Sequence, residues 1–139
     1  MIVDSSAIIA ILRGEPDAER FSLALEKSQS PRRMSAATYL ETSLVIDASG
    51  DAVLSRNLDR LIEIAQITIE PFTHEQAKRA RQAYRDFGKG SGHPAQLNFG
   101  DCFAYALASR TGETLLYKGA DFGHTDIWPA LTPPPLTSP

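Results

Sequence analysis

Four carboxylates stand where side chains of neighbouring elements tend to gather. Asp4 directly follows the short apolar run Ile2-Val3 and precedes Ser5, Ser6 and an all-apolar stretch from Ala7 to Leu12. Glu41 lies in Thr38-Tyr39-Leu40-Glu41, Asp101 follows Gly100 at the head of another apolar pattern, and Asp121 follows Leu115-Leu116-Tyr117. Each acid alone has a structural explanation. Carboxylates near a helix N-terminus cap free N–H groups and complement the helix dipole, worth roughly 0.5–2 kcal/mol for a good cap, and Thr38 with Glu41 has the spacing of a capping box. Gathered together, however, three or four carboxylates repel one another and raise their pKa values unless a cation neutralises them. Hard oxygen donors without clustered His or Cys suit Mg²⁺ or Mn²⁺ rather than zinc.

The elements that must position these acids alternate. Ile2-Val3 reads as a buried strand that turns at Asp4 into a helix ending near Gly14. A second helix runs from Pro16 to about Ser28, with Ala18, Phe21, Ala24 and Leu25 on its apolar face. A short strand falls near Arg33 to Ala36. The next helix opens at Thr38, carries Leu40, Leu44, Val45 and Ala48 inward, and stops at Gly50. Another spans about Asp51 to Gln66, and Ile67-Thr68-Ile69-Glu70 is a strand closed by Pro71. Thr73 with Gln76 caps a helix whose buried face is Ala77, Ala80, Tyr84 and Phe87. Gly88 to Pro94 is a flexible loop, suited to act as a flap. Gly100-Asp101 introduces a helix burying Phe103, Ala104, Leu107 and Ala108, and a strand follows at Thr114 to Tyr117. Strands alternating with helices predict an α/β fold with a mostly parallel sheet. In such sheets, sites form beyond the carboxyl ends of the strands, where Asp4 and Asp121 fall.

Composition narrows the class. The chain has 139 residues, 42% hydrophobic, with one cysteine and a formal charge of −3, enough for one domain with a core. Cys102 alone forms no internal disulfide, so a reduced cytoplasmic setting is expected. The start of the chain does not look like a signal peptide, and no apolar run approaches the ~20 residues of a membrane span. The net charge conceals a basic segment: Lys78, Arg79, Arg81, Arg85 and Lys89 oppose the single acid Asp86. Lys78, Arg81 and Arg85 fall at i, i+3 and i+7, a stripe along one helix face.

Four blocks in consistent order, Met-Ile-Val-Asp4-Ser-Ser6, Met34 to Glu41, Leu97-Asn98-Phe99-Gly100-Asp101-Cys102 and Leu115 to Phe122, resemble the PIN-domain ribonucleases. Within these the chain resembles a VapC-type toxin of a bacterial toxin-antitoxin pair. The resemblance implies a three-layer α/β/α domain over residues 1–131, leaving 132–139 as a Pro-rich tail expected to be disordered. It places Asp4, Glu41 and Asp101 on the acidic positions of the motif: Asp4 and Asp101 as direct metal contacts, Glu41 direct or through water. Ser6 takes the hydroxyl position that steadies the first acid. The fourth acid is Asp121, with Asp126 as its rival. The resemblance also implies an RNA substrate, a homodimer and a cognate antitoxin.

A Mg²⁺ or Mn²⁺ ion on such acids lowers the pKa of water and offsets charge on a scissile phosphate, so the expected activity is RNA phosphodiester hydrolysis, by one ion or two. Lys78, Arg81, Arg85 and Lys89 are then candidate contacts to the RNA backbone. His93 and His124 read as solvated loop histidines, and Cys102 as a buried apolar residue rather than a nucleophile. Phe103, Tyr105 and Trp128 read as core or interface. Two other readings remain. A Mg-binding signalling receiver would need an acceptor Asp ending a middle strand, where Glu70 stands. A PIN-like binding module would keep the acids only as caps.

Overall fold

A computed structural model describes residues 1–131; the expected tail lies outside them. The order of elements is β1 (Ile2–Val3), α1 (Ser5–Leu12), α2 (Ala18–Lys27), β2 (Arg32–Ser35), α3 (Ala36–Ala48), α4 (Ala52–Ile64), β3 (Ile67–Glu70), α5 (His74–Phe87), α6 (Asp101–Thr111) and β4 (Leu115–Leu116), followed by a 3₁₀ turn at Asp121–His124. The four strands pair in parallel in the order β3-β2-β1-β4. The chain thus winds outward from β1 in one direction and returns to its other side with β4. The reversal leaves a crevice beyond the carboxyl ends of β1 and β4, the place where ligands enter open α/β sheets.

Side-chain alternation along the strands builds the three layers. Ile2 and Leu115 point into a core with Ala80 and Ala83 of α5 and Ala104, Leu107 and Ala108 of α6. Val3 and Leu116 point the other way, onto Ala7, Ile8 and Ala10 of α1, Phe21 and Leu25 of α2, and Leu58 of α4. Two residues suffice for β1 and β4 because both strands are fully buried, whereas β2 and β3 have four residues each and are partly exposed.

Several local expectations change. The N-cap of α3 is Ser35, which accepts from the Ala37 N–H at 3.2 Å. Strand β2 runs straight into the helix there, so Thr38 sits inside the first turn, and the Thr38–Glu41 capping box does not form. The buried face of α3 is Thr38, Thr42 and Ile46, while Leu40 and Leu44 are 57% and 61% exposed. Tyr84 likewise turns outward, and Ala83 takes its place in the core. Thr73 caps α5, but the Gln76 side chain donates to the Pro71 carbonyl instead of accepting from the Thr73 N–H. Beyond β4, Trp128 to Ala130 add backbone bonds to Leu115 that the sequence reading did not foresee.

Candidate active site

Asp4 leaves β1 with its N–H bonded to the Leu116 carbonyl at 2.9 Å, so the backbone pairing that joins β1 to β4 also fixes its place in the crevice. Its Oδ2 caps α1, accepting from the Ser6 N–H at 3.1 Å and the Ser6 hydroxyl at 2.6 Å. The Ser6 hydroxyl in turn accepts from the Lys118 backbone N–H at 2.9 Å. One serine therefore ties the first acid to the segment after β4. The side chain of Asp4 is only 2% exposed, yet its Oδ1 has no hydrogen-bond partner. Burial pushes the Asp4 pKa up to about 6 against the Ser6 bonds, and repulsion from Glu41 adds to the rise.

Glu41 reaches the same crevice from the second turn of α3. Its Oε1 accepts from the Ser5 hydroxyl at 3.1 Å. The rest of the carboxylate lies over Gly100, so closely that a Cβ there would stand 1.4 Å from Oε2. Burial raises its pKa and Asp101 raises it further, while the Ser5 bond opposes both.

Asp101 opens α6 through an exchange with Asn98: the Asn98 N–H donates to Asp101 Oδ2 at 3.0 Å, and Asn98 Oδ1 accepts from the Asp101 N–H at 2.9 Å. This is the reciprocal logic of a capping box with Asn as the leading residue. Burial lifts the Asp101 pKa to about 6; the Asn98 N–H works against the rise, Asp4 and Asp121 add to it, and Lys89 opposes it. Asp121, at the start of the 3₁₀ turn, is thus within electrostatic reach of the cluster. Its rival is engaged elsewhere, because Asp126 accepts the Tyr105 hydroxyl at 2.6 Å.

The crevice therefore brings together Asp4, Glu41, Asp101 and Asp121. The acids are near enough to repel one another but not drawn into a closed ligand set: among the described residues no three His, Cys, Asp or Glu side chains already form a group able to hold a metal ion. The donors nonetheless suit one. All are oxygens, and the orphaned Oδ1 of Asp4 is a buried anionic atom with unused acceptor capacity, the kind of site that a hard divalent cation satisfies.

Of the basic residues, Lys78, Arg81, Arg85 and Lys89 are exposed, and none of their side chains makes an ion pair or hydrogen bond among the described residues; Lys89 is near enough to Asp101 to act on its carboxylate. Arg79 differs, lying 3.8 Å from Glu75 and donating to Ser109. His93 Nδ1 accepts from the Ala95 N–H, and its ring packs on Phe87, so it braces the loop. Burial and the neighbouring Asp101 push the Cys102 thiol up to about 11, which leaves no thiolate nucleophile at neutral pH. Sequence reasoning missed the supporting roles of Ser5, Asn98 and Gly100. The Asn98-x-x-Asp101 spacing was the one local signal for them.

An α/β/α sandwich with acids gathered at the switch point of a parallel sheet defines a class, and sequence comparison identifies it: the chain belongs to the PIN domain family, matched over residues 1–127. Curated relatives are named VapC ribonucleases. Ribonuclease VapC28 of Mycobacterium tuberculosis strain H37Rv is 59% identical over 131 residues, covering 94% of this chain and 98% of the relative. Ribonuclease VapC42 of the same strain is 51% identical over 132 residues, covering 95% and 100%. Among solved structures, Mycobacterium tuberculosis VapC20, described as a sarcin-ricin loop cleaving toxin, superposes with a TM-score of 0.73 at 15% identity, over 95% of this chain and 98% of that one. A toxin-antitoxin complex from Klebsiella pneumoniae gives 0.63 at 17% identity, over 87% and 88%. These likenesses set aside the receiver reading. No helix among the described residues is long and apolar enough to cross a membrane.

Proposed function

We propose that this chain is a ribonuclease toxin that hydrolyses RNA phosphodiester bonds with a divalent metal ion, Mg²⁺ or Mn²⁺, and is neutralised by a cognate antitoxin. The observation that carries the reading is the buried, unpartnered Oδ1 of Asp4, set among Glu41 and Asp101 where the sheet reverses. A carboxylate retained only as a helix cap has no need to bury its second oxygen without a partner. Asp4 and Asp101 would hold the cation directly, Glu41 directly or through water, and Asp121 would complete the acidic set. When bound, the ion supplies activation of water and neutralisation of charge at the scissile phosphate. The protein's own contribution is positional: Ser6 fixes Asp4, Ser5 fixes Glu41, and Asn98 fixes Asp101. Lys78, Arg81, Arg85 and Lys89 would hold the RNA backbone without reading its sequence.

An antitoxin partner is supported by the names of the relatives and by the complex among the structural neighbours. Homodimerisation and a cytoplasmic setting belong to the same proposal. The test is cleavage of labelled total RNA, with antitoxin stripped away, in Mg²⁺ or Mn²⁺ and with chelator, comparing wild type with Asp101→Asn. Metal-dependent cleavage that disappears in a folded Asp101→Asn variant is expected. Absence of cleavage by the wild type in either metal, across RNA from several sources, would overturn the proposal.

A further inference from the structure

A groove of about 550 Å³ opens between α5 and the start of α6, lined by Phe72, Ala80, Arg81, Tyr84, Arg85, Phe99, Cys102 and Phe103. Phe99 is 75% exposed, although its backbone is fixed: it lies between Asn98, which clamps Asp101, and Gly100, which seats Glu41, and its carbonyl accepts from the Cys102 N–H. An aromatic ring on a fixed stretch of backbone thus stands in solvent one residue from Gly100, on which Glu41 lies. Its edge-to-face partner is Phe103 at 4.9 Å, which meets Phe72 at 5.1 Å, so the wall behind it is aromatic. Tyr84 is exposed on the facing helix. Arg81 and Arg85 flank Tyr84 with no ion pair or hydrogen bond among the described residues.

We propose that this groove seats an unstacked nucleobase of single-stranded RNA next to the scissile phosphate, with Phe99 and Tyr84 contacting the base and Arg81 and Arg85 its flanking phosphates. The inference rests on the ribonuclease reading and adds to it the groove and the side chains that hold a base beside the cut. Exposed aromatic faces bind any base by stacking, and unpaired arginines beside them bind backbone phosphates, the combination found where proteins hold single strands. Duplex RNA keeps its bases stacked and paired and cannot offer one to the groove. A second copy of the chain fits less well. A two-fold contact sets a patch against itself, which would bring Arg81 and Arg85 of each copy against those of the other.

The probe is a short single-stranded RNA carrying 2-aminopurine at successive positions, bound to wild type, Phe99→Ala, Tyr84→Ala and Arg85→Ala in the presence of Ca²⁺. Cleavage of the unlabelled RNA in Mg²⁺ or Mn²⁺ is followed in parallel. Expected are a fluorescence change at one position beside the cut, loss of that change in Phe99→Ala, and affinity weakened about 5- to 150-fold. The salt dependence should be unaltered by Phe99→Ala and shallower in Arg85→Ala. An abasic residue at the responsive position should weaken wild type and leave Phe99→Ala unaffected. Wild-type affinity and cleavage in Phe99→Ala, or equal binding of duplex and single strand, would overturn the inference while leaving the ribonuclease reading intact. Base-specific binding without cleavage by the wild type would do the reverse. Sedimentation supplies the last outcome: Phe99→Ala that converts a dimer to a monomer assigns the groove to self-association and overturns the proposal.

Discussion

Replacing Gly100 by alanine should disable the site without damaging the fold. Gly100 has φ −65° and ψ −36°, a helical conformation that alanine adopts at least as well, with a gain of up to about 1 kcal/mol from reduced backbone freedom in the unfolded chain. The new methyl group, however, would stand 1.4 Å from Glu41 Oε2 and 2.3 Å from its Cδ. Ordinary contact needs about 3.4 Å, so the carboxylate must retreat by about 2 Å. That retreat breaks the 3.1 Å bond from Ser5, a charge-assisted hydrogen bond worth about 1.5–3 kcal/mol. The two stability effects oppose each other and leave a net loss of about 0.5–3 kcal/mol. Catalysis has no such compensation, since a displacement of about 1 Å at a reacting centre costs on the order of 10²-fold in rate. The assay is RNA cleavage by wild type, Gly100→Ala, Glu41→Ala and the double variant, with thermal melts of each. Cleavage by Gly100→Ala should fall at least about 100-fold, and Glu41→Ala should absorb nearly all of that loss, because two changes acting through one side chain are not additive. Wild-type cleavage by Gly100→Ala, or a full additional loss in the Glu41→Ala background, would refute the reasoning.

The metal-free protein should lose stability as pH rises from about 4 to about 7. Asp4, with a pKa of about 6 in the folded chain against 3.8 for the free group, binds its proton more tightly when folded. Its contribution of about 3 kcal/mol is therefore full below about pH 4 and gone above about pH 7; Asp101 shifts in the same direction. Urea melts in chelator should show this decline, with Mg²⁺ or Mn²⁺ restoring stability at pH 7.5 far more than at pH 5; a flat or rising profile would count against it. Ser6→Ala, which removes the 2.6 Å bond to Asp4, should cost about 1–3 kcal/mol and weaken cation binding measured by calorimetry. Asp121→Asn should lower RNA cleavage, whereas Asp126→Asn should leave it near wild type and cost about 1 kcal/mol in melts through the Tyr105 bond; the opposite ranking would make Asp126 the fourth acid.

Much of the fold was legible because its signals are local. Ile2-Val3 followed by an acid and an all-apolar run reads as strand, turn and buried helix from short-range chemistry alone, and β3 ends as read, before Pro71. The acids at positions 4, 41, 101 and 121 were equally visible. Where a local rule had competitors, the tertiary context decided. Ser35 displaced Thr38 as the cap of α3 because β2 enters that helix without a turn, and this moved Glu41 into the second turn. Leu40 and Leu44 face outward because the inward face of α3 is set by Thr38, Thr42 and Ile46, four residues apart, and Leu40 and Leu44 lie two residues off that row. Of the aromatics read as core or interface, Tyr105 is buried, Phe103 lines the groove and Trp128 is exposed.

The sequence by itself determined which residue types are available for chemistry and which element carries each one. Only the folded chain decided that Asp4 is buried with one oxygen free, that Glu41 lies on Gly100, and that Asp121 comes within electrostatic reach of Asp101 while Asp126 accepts the Tyr105 hydroxyl. Burial, repulsion between carboxylates and the seat provided by a missing side chain depend on residues tens of positions apart in sequence. Those distances close only when β4 pairs with β1 and the crevice between them exists.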